Sequence, residues 1–250
     1  MNILAIDTST SLAGIAIAVD EQIVAESLLN TNRTLSARLV PEIERLLATA
    51  GLAIADIDLF ASTVGPGSFT GVRGGVATIQ GLALATGKPC AGYSSLAMLA
   101  MNFSLSTIPV CPLLDARKSE VYAALYDCSA AIPSPRINDC VLLPAAFLDQ
   151  IAASTGEPVI FVGEGAVRYH DQIAERLGDQ ALFAPYPLHS SHAVNGTLLA
   201  LHAFKNGEAL EPSRLLPVYL RASDAELMKT KADRRETLSA LPESHSRQAV

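Results

Sequence analysis

Short apolar runs rich in β-branched residues open the chain at residues 3–6, 14–19 and 23–29, separated by Asp7-Thr8-Ser9-Thr10-Ser11 and by the polar turn Asp20-Glu21-Gln22. Strand-length runs joined by brief polar connections predict an antiparallel meander. The period then lengthens. Leu39, Ile43, Leu46, Leu47 and Ala50 recur at helical spacing, Arg38, Glu42 and Arg45 fall between them, and Gly51 stands where a C-terminal cap belongs. Pro41 lies in the first turns of that helix, where it is tolerated; deeper inside it would cost roughly 3 kcal/mol. Residues 59–64 suit a buried strand, and Gly65-Pro66-Gly67-Ser68 reads as a tight turn that Ser68 caps into a helix running to Thr86.

The alternation then resumes. Residues 94–102 predict a helix, 108–114 a strand, Asp115-Ala116-Arg117-Lys118-Ser119 a hairpin turn and 121–126 the returning strand. Residues 128–140, which include Pro133 and Pro135, read as loop. Helices are expected over 144–153, 166–177 and 193–205, around a strand at 159–162. The order of the first hundred residues is thus loosely repeated, which predicts an α/β protein of two related lobes, 1–105 and 106–224. Residues 225–250 are charged and aperiodic, the composition of a disordered tail.

Composition narrows the function classes. A chain of 250 residues that is 50% hydrophobic can bury a large core. Its net charge of −7 repels phosphate, which disfavours unaided binding to nucleic acid or an anionic membrane. Cys90, Cys111, Cys128 and Cys140 are widely spaced and form neither a disulfide framework nor a zinc knuckle, so reduced thiols in the cytoplasm are expected. The strand-like start with Asp7 close behind offers no signal-peptide pattern. Residues 61–114 carry only Arg73 and Lys88 as charges, yet Gly, Pro, Ser and Thr interrupt them too often for a membrane span.

Three groups of residues are candidates for chemistry. Asp7, Thr8 and Ser9 follow a strand, so their hydroxyls and amides could contact phosphate while Asp7 holds a metal-bound water; an Asx/Ser turn that satisfies its own backbone is the alternative. The block from Gly65 to Gly75, with Gly67 and Ser68 at a helix start, could bind an anion, but no Gly-Lys-Ser/Thr follows, so it is not a Walker loop. Its other reading is close packing: from Phe69 to Thr86 only Arg73 is charged, and a helix apolar nearly all round must be covered on every side. Together with the Leu39, Ile43, Leu47 face this points to an apolar helix-pair interface. Asp115 and Arg117 could face a nucleotide or a partner, or form a solvated turn. No two-histidine metal motif and no Gly-x-Ser-x-Gly elbow is present, which speaks against a zinc protease and a serine hydrolase.

Asp7-Thr8-Ser9-Thr10, the block Gly65-Pro66-Gly67-Ser68-Phe69-Thr70-Gly71-Val72-Arg73, Asp115-Ala116-Arg117 with Glu120-Val121-Tyr122, and Pro217-Val218-Tyr219-Leu220-Arg221 together resemble the TsaB (YeaZ) family. The resemblance runs in order from residue 1 to about 222. It implies the two-lobed actin/Hsp70/sugar-kinase-like (ASKHA) fold and a non-catalytic role beside a paralogue, TsaD, which transfers threonylcarbamoyl to an adenosine next to the tRNA anticodon. It further implies no cofactor in this chain, with ATP and a metal held by the partner, an additional TsaE-type ATPase, tRNA contact through the complex alone, and a homodimer when the protein stands alone. Carried over by residue, the docking surface would be Leu39, Val40, Ile43 and Leu47 on the first helix and Phe69, Val72, Arg73, Val76 and Gln80 on the second. The family often has His-Ser-Glu where this chain has Leu35-Ser36-Ala37, which removes polar groups from the start of the first helix. A kinase or ATPase of the same fold using Asp7, and a glycoprotease-like peptidase, are the rival readings.

Overall fold

A computed structural model of the chain describes residues 1–30 and 35–221, with the side chains of Leu35 and Ser36 excepted; the tail expected at 225–250 lies outside the described residues. The expected meander forms as β1 (Asn2–Asp7), β2 (Leu12–Val19) and β3 (Gln22–Asn30). The register of β1 on β2 places Ile6 opposite Ile15. After the helix α1 (Leu35–Ala50), the strand β4 (Leu59–Gly65) pairs parallel to β1. Ser68 then caps α2 (Phe69–Thr86) by accepting from the Gly71 N–H, and β5 (Cys90–Ser94) completes a sheet of order β3-β2-β1-β4-β5. The short β5, Cys-Ala-Gly-Tyr-Ser, carries too little pattern to be expected from sequence.

The helix α3 (Ser95–Ala100) leads into the second half, where β6 (Val110–Arg117), β7 (Glu120–Asp127) and β8 (Ser134–Leu142) form another meander. The β6–β7 turn is tighter than expected. Arg117 pairs with Glu120, and Lys118 and Ser119 both have positive φ, the geometry of a two-residue hairpin loop. Residues 128–140, expected as loop, contribute most of β8. It is the sheet's edge, bonded to β7 alone, so the missing N–H of Pro135 breaks no inner ladder. The helix α4 (Pro144–Ser154), β9 (Val159–Val162), α5 (Glu164–Arg168), α6 (His170–Leu177) and β10 (Ala181–Phe183) complete a sheet of order β10-β9-β6-β7-β8. The helix expected over 166–177 is broken between α5 and α6, where Tyr169 leaves helical geometry at φ −105 and ψ 21.

The two sheets have the same plan, a three-stranded antiparallel meander extended by two parallel strands, which is the duplicated architecture of the ASKHA fold. On the outer face of the first sheet, Leu4, Ile6, Ile15 and Ile17 pack against Leu39, Ile43 and Leu46 of α1 and Val72, Val76 and Ile79 of α2. Its other face, Ile3, Ala5, Leu59 and Ala61, is covered by Ala200 and Leu201 of α7 (Ala193–Lys205). Leu96, Leu99 and Ala100 of α3 conversely pack on Val110, Leu114 and Ala124 of the second sheet. Each sheet is thus closed by a helix from the other half of the chain. A boundary at residue 105 separates the sheets without separating their cores, and Met1–Leu220 form one compact unit. No described helix is long and apolar enough to cross a membrane.

Candidate functional site

The first candidate cluster gathers at the end of β1. Asp7 is 1% exposed, and both of its carboxylate oxygens accept hydrogen bonds from this chain. Its Oδ1 accepts from the Ser9 N–H at 2.9 Å and the Thr63 hydroxyl at 2.8 Å, and its Oδ2 from the Ser191 hydroxyl at 2.8 Å. Thr63 lies on the neighbouring strand β4, and Ser191 arrives 184 residues along the chain, just ahead of α7. Sequence reasoning missed both, because neither stands near Asp7 in any local pattern.

The glycine-rich block closes over the same turn. The Ser68 N–H donates to the Ser9 carbonyl at 2.7 Å, and the Thr8 hydroxyl donates to the Gly71 carbonyl at 2.8 Å. A Cβ on Gly71 would lie 2.0 Å from the Thr8 carbonyl oxygen, and one on Gly75 2.2 Å from Thr8 Oγ1. These glycines let the first turns of α2 lie directly on the 7–9 turn. Asp7, Thr8, Ser9, Gly67 and Ser68 are therefore brought together. The Ser9 hydroxyl is the one member of this group with no hydrogen-bond partner.

Asp115 and Arg117 form a separate group. Asp115 accepts from the Arg117 N–H at 2.9 Å and pairs with the Arg168 guanidinium at 2.5 Å. No hydrogen bond joins them to the Asp7 cluster among the described residues. The histidines are dispersed; His189 Nδ1 accepts from the Gly163 N–H at 3.1 Å. Among the described residues no three His, Cys, Asp or Glu side chains cluster as a metal site.

The second candidate is the surface of α1 and α2, and here the structure corrects the sequence reading. Leu39, Ile43, Val72 and Val76 are each 2% exposed and Leu47 is 6% exposed. They are the cover of their own sheet and not an outward face, because both helices turn their bulkiest stripe towards β1 and β2. Of the expected surface residues Val40 and Arg73 are exposed, and Phe69 and Gln80 are half-buried. What α2 presents to solvent is instead Thr70, Arg73, Gly74, Ala77, Gly81, Leu84 and Ala85. This face is small and nearly uncharged, and its Leu84 is 75% exposed.

The C-terminal strap builds one wall of that surface. Leu210 bonds Cys90 in both directions at 2.8 and 2.7 Å, and Val218 N–H donates to the Val64 carbonyl at 2.8 Å. Gln80 Nε2 donates to the carbonyls of Pro212 at 3.1 Å and Leu215 at 2.9 Å, which ties the strap to α2. Gly65, with φ +116, must be glycine here: a Cβ would meet the Val218 carbonyl oxygen at 2.8 Å. An open groove of ≈ 490 Å³ runs between α2 (Arg73, Val76, Ala77, Gln80) and the strap (Leu216, Pro217, Tyr219). Arg73 rests on the Phe69 ring, 3.8 Å from its centroid, and its Nε donates to the Tyr219 hydroxyl at 2.6 Å. Tyr219 lies within the quoted Pro217–Arg221 motif, but nothing in the sequence ties it to Arg73.

A family model described as TsaD, tRNA N6-adenosine threonylcarbamoyltransferase, matches residues 22–228. The chain is 30% identical over 226 residues to the tRNA threonylcarbamoyladenosine biosynthesis protein TsaB of Bacillus subtilis, covering 90% of this chain and 96% of that one. It is 33% identical over 227 residues to the TsaB of Escherichia coli, covering 88% and 95%. Among solved structures, a Pseudomonas aeruginosa protein described as similar to the peptidase YEAZ superposes with a TM-score of 0.77 at 31% identity, over 88% of this chain and 99% of that one. Identity of 30–33% over 88–90% of this chain and at least 95% of each relative places the chain in the TsaB (YeaZ) family.

Proposed function

We propose that this protein is an accessory, non-catalytic subunit for threonylcarbamoyladenosine formation next to the tRNA anticodon, and that it docks a TsaD-type transferase through the outward face of α2 and the exposed part of α1. The observation that carries the docking surface is the solvent side of α2, an 18-residue helix whose exposed positions bear one charge, Arg73. Helices that end at water ordinarily turn charged residues outward. Here glycine and alanine allow a second helix to approach closely, and Leu84 and Val40 offer apolar side chains to it. The biosynthetic role is supported by the relatives named for that pathway.

A passive role within the complex is supported by the state of Asp7, whose oxygens are taken by three donors of its own chain. In this reading the chain holds no cofactor; ATP and metal belong to the partner, a TsaE-type ATPase joins the pair, and tRNA is met only through the complex. The protein is cytoplasmic, and the same face forms a homodimer when the partner is missing.

Reconstitution tests this: a TsaD-type transferase, a TsaE-type ATPase, the threonylcarbamoyl donor and tRNA, with and without the chain. Product should require it, and Leu84→Glu should abolish the requirement's fulfilment while leaving the circular dichroism spectrum unchanged. Equal product formation in its absence refutes the proposal. ATP turnover by the isolated chain that disappears in Asp7→Ala would favour the kinase reading instead.

A further inference from the structure

Arg73 is held in an unusual way for a lone surface cation. Its guanidinium carbon lies over the Phe69 ring, the ring of Tyr219 stands 4.9 Å from that of Phe69, and the Tyr219 hydroxyl takes its Nε–H. One of five guanidinium donors is therefore used, and no carboxylate pairs with Arg73 among the described residues. The remaining edge, formed by Nη1 and Nη2, is the fork that matches the two oxygens of a carboxylate. Stacking and the Tyr219 bond remove rotamer freedom in advance, so less ordering is required when a ligand arrives.

The sequence contains no Asp or Glu between Asp58 and Asp115, so α2 and the flanking strands β4 and β5 carry no acid that could neutralise Arg73. Covering this face with an uncharged partner would bury an unpaired guanidinium, which is strongly unfavourable. Beside the cation runs the apolar groove between Val76 and Ala77 on one wall and Leu216 on the other. Gly74 and Gly81 have nothing within 4 Å of a built Cβ, so a helix axis can come near on this side.

We propose that Arg73 is a specificity determinant of docking: it recognises one carboxylate on a helix of the partner chain, while an apolar side chain a turn away on that helix enters the groove beside it. The inference rests on the reading of α2 as the transferase-docking face. A second copy apposed α2 on α2 is the poorer occupant, because α2 brings another Arg73 and no acid; a copy apposed through α1 would bring Glu44, and the self-association measurement tests it.

Titration calorimetry with a purified TsaD-type paralogue decides the matter. Arg73→Gln should weaken binding about ten- to a hundredfold, the range for losing a charge-assisted pair. Tyr219→Phe, which keeps the ring and frees the guanidinium, should weaken it less. Arg73→Lys keeps the charge without the fork and should rescue only part, which separates recognition from any folding defect in Arg73→Gln. Replacing each exposed Asp or Glu on the partner's facing helices by its amide should reveal one whose effect vanishes in the Arg73→Gln background. Additive effects throughout, with Arg73→Gln binding as tightly as wild type, overturn the proposal while leaving the docking face intact. A wild-type chain that does not bind the paralogue at all overturns the docking reading and this inference with it. Arg73→Gln that weakens self-association in sedimentation but not partner binding assigns the groove to a second copy and overturns the inference alone.

Discussion

Substituting alanine for glycine at two points of α2 should move stability in opposite directions. At Gly71 the added methyl would lie 2.0 Å from the Thr8 carbonyl oxygen, a buried backbone atom at the end of β1. Carbon and oxygen rest at about 3.3 Å even in favourable contact, so the helix start must lift by about 1 Å. Overpacking of that size costs about 1–3 kcal/mol. Lifting also stretches the bonds from Thr8 Oγ1 to the Gly71 carbonyl and from the Ser68 N–H to the Ser9 carbonyl, each contributing about 1 kcal/mol. The better helix propensity of alanine offsets about 1 kcal/mol of this. The net loss is about 2–4 kcal/mol, or roughly 4–16 °C in Tm for a chain of this size. At Gly81 nothing lies within 4 Å of the new methyl, so propensity acts alone. Gly81→Ala should raise Tm by roughly 2–4 °C. That methyl stands on the proposed docking face, so the more stable variant should bind the paralogue less tightly. Thermal and urea denaturation followed by circular dichroism measure both shifts. A Gly71→Ala protein that melts at or above wild type would refute the seating of α2 on the 7–9 turn.

Other expectations concern the Asp7 cluster, the thiols and one carboxylate. Asp7→Ala orphans two hydroxyls and an N–H in a buried site; a loss of about 3–5 kcal/mol is expected in urea unfolding, and unchanged stability would remove the cluster's structural role. Burial pushes the Cys128 thiol up to about 12 and those of Cys90 and Cys140 to about 11, so the native protein should react slowly with Ellman's reagent while the denatured chain titrates all four thiols. Fast labelling of the native protein contradicts this. The Ser129 hydroxyl, then its backbone N–H, then Arg136 hold the partly exposed Asp127 carboxyl down at about 2. The folded value is thus below the unfolded one near 3.9, so the contribution is present above about pH 4 and fades as pH falls toward 2. Ser129→Ala should raise the Asp127 midpoint in an NMR titration; an unmoved midpoint would assign the depression to other partners.

The meander, the helix after it, the capped turn at Ser68 and α7 were legible because their signals are local. Alternation, helical spacing, Gly51 and the Ser68 cap each act over a few residues. The strand β8 was not, since the prolines that suggest a loop are harmless on an edge, and edge position is a property of the whole sheet. The break at Tyr169 likewise leaves the apolar spacing on either side intact.

For the site, the chain alone determined which residues are unusual: Asp7 with its hydroxyl neighbours, the glycine block, and a helix carrying a single charge. Which side of that helix meets water was decided only by tertiary structure. An all-round apolar helix has no polar stripe to fix its rotation, so its orientation follows from which side chains fill the sheet, and Val72, Val76 and Ile79 fill it. The same holds for Ser191 on Asp7 and Tyr219 on Arg73, pairs 184 and 146 residues apart. Contacts at such separations exist only after two halves of the chain have exchanged helices and a strap has crossed back, and no pattern a few residues long encodes that.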